Sequence, residues 1–158
     1  MRNSLLTEAG RALWRLNQEY GQRLARARQC ASLLTELLAI RGLNNGGQPP
    51  PNFMRIFATI NETLDQCYDD HRAWRYRYFY DSVDEKRMTQ NDADIFKAMA
   101  QFSRLRLRQM RPIQQTLSAL AELPRPPRDL TRIPQGDLWE MTTQALVDFA
   151  ELDTALSP

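Results

Sequence analysis

Residues 53–78 read FMRIFATINETLDQCYDDHRAWRYRY. Within them Phe53, Phe57, Ile60, Leu64, Cys67, His71, Trp74 and Tyr78 recur at alternating spacings of four and three. A side chain returns to the same face of an α-helix at that interval, so the stretch reads as a helix with an apolar seam several turns long. A half-buried strand needs period two, which is absent here. A seam of this length must be covered by other helices, and the rest of the chain supplies three candidates.

Upstream, Leu6, Ala9, Leu13, Leu16, Tyr20, Ala27, Cys30, Leu34 and Leu37 follow a near-heptad pattern, broken only at Arg23, beside which Leu24 can serve. This predicts a helix over about 5–41, with Ser4 as its cap and Gly42 as its stop. Residues 42–52 hold paired glycines and three successive prolines, a connection rather than a phosphate-binding loop, since no G-x-x-x-x-G-K pattern is present. The second helix, capped by Asn52, is expected over 53–87. A third, over 92–122, carries Ile95, Phe96, Met99, Phe102, Leu105, Met110, Ile113, Leu117 and Leu120, with Pro112 inside it as an expected kink. After a second proline-rich connection, a fourth is expected over 137–156, opened by Asp137 and Glu140 as a capping box. The resulting fold class is all-α: an elongated, mostly antiparallel four-helix bundle with a Pro-kinked third helix, forming one domain over residues 1–158.

Composition narrows the setting. An apolar fraction of 42% is enough for a packed core and too high for a disordered chain. No run approaches the ~20 apolar residues of a membrane span. Met1-Arg2-Asn3-Ser4 leads straight into an amphipathic pattern, so no secretory leader is expected. Cys30 and Cys67 both fall on apolar seams and read as buried free thiols, which suits a cytoplasmic location. The net charge of +2 selects no partner, but its distribution is uneven. From Ile95 to Ala121 the third helix has no acid and carries Lys97, Arg104, Arg106, Arg108 and Arg111. The fourth has only acids, so lateral pairing of the two is expected.

Catalytic chemistry is poorly provided for. The one histidine, His71, lies on the main seam and reads as a hydrogen-bonded core ring. A phosphotransfer histidine, the remote alternative, needs an exposed nitrogen. A di-iron bundle needs two histidines, and zinc needs closer ligand spacing than Cys30, Cys67 and His71 offer. Cys67 and His71 are four apart on one face, the geometry of an activated thiolate, but no orienting group accompanies them. No enzyme activity, cofactor or metal is expected.

Two binding surfaces are predicted instead. Arg72, Arg75 and Arg77 interleaved with Tyr76 and Tyr80, together with Arg104, Arg108 and Arg111, form a candidate nucleic-acid surface. Unequal helix lengths predict a second. The seams of the two long helices outrun the short fourth helix, leaving Leu6, Leu13, Leu16, Trp74, Tyr78 and Phe79 partly uncovered as a homodimer interface or a site for one protein partner. The expected function is that of a non-catalytic helical interaction module: an adaptor, a small chaperone or a subunit of a larger assembly. Nucleic-acid binding is the alternative.

Overall fold

The computed structural model describes residues 2–41, 51–79, 92–123 and 135–152, with side chains at 12–39, 54–76, 97, 99–123 and 138–152. Four helices account for them: α1 (Arg2–Arg41), α2 (Pro51–Phe79), α3 (Asp92–Glu122) and α4 (Gln135–Ala150). Among the described residues there is no strand, and the chain is an all-α four-helix bundle. No helix there is long and apolar enough to cross a membrane.

Several helix starts differ from expectation. α1 begins at Arg2, so Ser4 lies inside its first turn. α2 begins at Pro51 rather than after Asn52. Proline suits that first position, because its missing N–H is one of the donors that a helix start leaves unpaired anyway. α4 opens at Gln135, two residues before the expected cap at Asp137. The predicted reach of α2 to residue 87 and of α4 to 156 falls on residues outside those described. α3 passes through Pro112 as one helix, and the Thr116 hydroxyl donates to the Pro112 carbonyl at 2.7 Å.

One core cluster draws on all four helices. Every α2 seam residue with a described side chain is buried: Phe57, Ile60, Leu64, Cys67, His71 and Trp74. Leu34, Phe102 and Phe149 join them from the other three helices. Along α1 the buried line runs Leu13, Asn17, Tyr20, Leu24, Ala27, Ala31, Leu34, Leu38, so it passes through Asn17 rather than Leu16. Cross-helix pairs set the register. Asn17 meets His71, Arg28 meets Asp65, and Thr35 meets Asn61, so partner numbers fall along α2 as they rise along α1. The Thr142 hydroxyl of α4 lies between the carbonyls of Leu138 and Cys30, tying α4 to α1.

Arg23, the break in the α1 seam, has a definite task. Its guanidinium donates to the Asp148 carbonyl at 2.7 Å and pairs with Glu19. The last carbonyls of a helix have no partner within it, and a cation there also meets the negative end of the helix dipole. Arg23 thus closes the end of α4, while Leu24 beside it fills the core.

Charge joins α3 to α2 at Arg108. Arg108 bonds Asp70 at 2.8 Å, and among the described residues Arg104 and Arg111 form no ion pair. α3 does contact α4. Lys97, Arg104, Arg108 and Arg111 are exposed, whereas Arg106 is buried with the line of Phe102, Met110, Ile113 and Leu120.

Candidate functional site

The unusual feature of this core is its polar content. Asn17, His71, Gln109 and the Tyr20 ring are all buried side by side, contributed by three helices. A buried polar group without a partner costs about 1–3 kcal/mol, so each must be accounted for. The accounting closes. Gln109 donates from its amide nitrogen to Asp70 Oδ2 at 2.7 Å, which turns its carbonyl oxygen toward Tyr20, and the Tyr20 hydroxyl donates to that oxygen. Arg108 donates to the same Asp70 oxygen, and Gln66 to the other at 3.0 Å. A chain of hydrogen bonds therefore runs from the surface ion pair to the middle of the bundle.

His71 has its own partner. Nε2 lies 2.8 Å from Asn17 Oδ1, so the neutral ring donates from Nε2. Its other nitrogen faces Gly21, where an added Cβ would stand 3.3 Å from the ring's Cε1. Glycine in the middle of α1 costs about 0.5–1 kcal/mol relative to alanine. Here it makes room for the imidazole. The Tyr20 ring packs at 4.7 Å from the His71 ring and edge-on to Phe102 and Phe149.

Electrostatics holds these groups in their unreactive forms. Burial, with a smaller contribution from the Arg75 charge, pushes His71 down to about 4, against the opposing bond to Asn17. Burial also pushes the Cys67 thiol up to about 12; the Asp70 charge adds to this and the neighbouring Tyr20 hydroxyl offsets part of it. Tyr20 is raised above the ordinary phenol range, first by burial. At neutral pH the thiol keeps its proton and the imidazole is uncharged. A thiolate nucleophile needs the opposite: an electropositive, partly open setting. A phosphoacceptor histidine needs an exposed nitrogen, and His71 is only 4% exposed. Among the described residues no group of three or more His, Cys, Asp or Glu could hold a metal ion.

The network makes a direct prediction. Tyr20→Phe removes the donor to Gln109 and leaves a buried carbonyl oxygen unpaired, at about 1–3 kcal/mol of stability. The double variant Tyr20→Phe, Gln109→Leu should recover part of that loss in denaturant titrations. An unchanged midpoint for the single variant would show the bond to be dispensable.

The predicted surface residues fare unevenly. Leu13 and Trp74 are covered by the chain's own core and offer no open apolar surface; α3 closes over Trp74 through Phe102 at 4.8 Å. Leu16 is partly buried against the same core. The side chains of Leu6, Tyr78, Phe79, Arg77 and Tyr80 lie outside those described. Arg72, Arg75 and Tyr76 are exposed, as are Arg104, Arg108 and Arg111. Among the described residues, the two arginine sets are not brought together. Asn61, Asp65 and Tyr68 place one edge of α2 against α1, and Arg72 and Arg75 continue that edge at helical spacing. Asp70 and Ala73 lie on the other edge, across a groove of about 540 Å³ from Gln101, Arg104, Leu105 and Arg108.

Asn17, Gln109 and the role of Asp70 were not singled out from sequence. The signal was present: Asn17 falls between Leu13 and Tyr20 at four-three spacing, and Gln109 falls four before Ile113. A polar residue at a seam position marks a partner elsewhere in the core. No family model, no curated protein and no solved structure matches the chain.

Proposed function

We propose that the chain is a non-catalytic helical interaction module. The observation that supports this reading is the state of the buried polar cluster. Its thiol is protonated, its imidazole neutral and its amides and hydroxyl mutually bonded, so its groups hold the helices together and leave binding to the outer faces. One expected partner is a second copy of the chain. With Leu13 and Trp74 inside the core, that interface must draw on the remaining residues of the sequence-predicted set. Light scattering over a concentration series up to ~100 μM tests it, since a specific interface must bury enough surface to persist there. Doubling of the mass supports self-association, and a monomer throughout removes the homodimer.

Nucleic-acid binding is a second reading, favoured by one specific observation. Lys97, Arg104, Arg108 and Arg111 share one exposed face of α3, and among the described residues only Arg108 is paired with an acid. At 1.5 Å per residue this row spans ~21 Å. Retention of labelled DNA or RNA that falls as salt rises supports this reading, because phosphate contacts release counterions. No retention at low salt overturns it.

A further inference from the structure

We infer that the groove between α2 and α3 seats a single-stranded nucleic acid. This rests on the nucleic-acid reading above and gives it a place and a strand preference. The groove, about 540 Å³, has room for one base and its sugar but not for a duplex. Its lining mixes apolar Ala73 and Leu105 with Gln101 and Arg104, the combination a base and its phosphate require. Asp70 is the one acid in that lining, and Arg108 and Gln109 already occupy its Oδ2. The net charge presented by the groove is therefore that of Arg104.

Two features extend the site beyond a mononucleotide. Lys97 and Arg111 continue the Arg104 row on either side, so several successive phosphates can be neutralised along α3. On α2, Tyr76 is 66% exposed and stands three residues from the groove residue Ala73, a neighbouring position on the helix surface. An aromatic ring this open offers a stacking platform for a base. Asp69 lies on that exposed face of α2 too, which directs the phosphates to the α3 side.

Strand preference follows from access to the bases. Bases in a duplex are stacked and cannot reach Tyr76 or the groove floor. A single strand can present both base and phosphate. An acidic peptide would use the arginines but gain nothing from base stacking on Tyr76.

Fluorescence anisotropy of the full chain with a short labelled single strand, the matching duplex and polyglutamate tests this. The single strand should bind at least ~10-fold tighter than the duplex, since stacking is available to it alone. Arg104→Glu with Arg111→Glu should weaken binding by ~10-fold or more and reduce the salt slope by about 1.4. Tyr76→Ala should weaken single-strand binding by ~10-fold and leave the slope unchanged. The charge-matched control Arg15→Glu with Arg26→Glu, exposed on α1 and outside the groove lining, should change affinity far less. Equal loss in that control, duplex bound as tightly as single strand, or polyglutamate bound as tightly as the strand would each overturn the inference while leaving polyanion binding in place. Absence of any nucleic-acid binding by the wild type would instead remove the parent reading.

Discussion

Replacing Phe149 with Ala should lower the free energy of unfolding by about 3–5 kcal/mol. Phe149 is fully buried, and its ring meets Tyr20 edge-on at 5.1 Å, so α4 is fastened to α1 through it. The lost transfer free energy and the cavity left behind both contribute, and the two long helices have little freedom to collapse into the gap. A domain of this size is stable by only about 5–15 kcal/mol, so the loss is a large fraction of the whole. Phe102→Ala should cost a comparable amount, because Phe102 packs against both Tyr20 and Trp74. Chemical denaturation reads the effect directly. A shift under about 1 kcal/mol for Phe149→Ala would show that α4 is not part of the cooperative core.

The second large effect is on acidification. His71 takes up its proton at about pH 4 in the folded chain, against 6.5 for a free imidazole. Between those values the unfolded chain binds more protons than the folded one, so stability falls as the pH drops through that window. Integrated to below the folded value, the His71 contribution to the loss is about 3 kcal/mol. The proton must go to the nitrogen facing Gly21, with Tyr20 against the ring and the Arg75 charge nearby, and among the described residues no carboxylate bonds the imidazole there. His71→Gln keeps an amide to bond Asn17 and has nothing to titrate. Its unfolding free energy should change less between pH 7 and 4 than that of the wild type. Identical pH profiles would mean that His71 charges freely in the folded state.

The four helices were legible because apolar periodicity is a local property. The α2 seam from Phe57 to Trp74 needed no knowledge of its neighbours, and its buried histidine could be placed on the core side from spacing alone. Asn17 and Gln109 were not recognised, because their burial depends on partners 54 and 39 residues away. Trp139 was missed for a similar reason. It lies beside Leu138 at the edge of the α4 seam and is buried because Phe57 of α2 stands 5.6 Å from its ring. The basic face of α3 was visible as composition. That Arg108 meets Asp70 of α2 was not, since rotation of one helix against another is set by packing and not by charge totals.

Native thiol reactivity tests the account most directly. Cys30 and Cys67 are both buried, and the Cys67 thiol is pushed up to about 12 beside Tyr20. With a thiol-specific chromogenic reagent at mildly alkaline pH, neither cysteine of the folded chain should react on the timescale of free cysteine. Both should react at once after unfolding in guanidinium. Cys67 reacting in a folded Cys30→Ser variant as fast as free cysteine would mean an open, ionisable thiol beside His71. It would contradict the reading of this cluster as a packed support for a binding module.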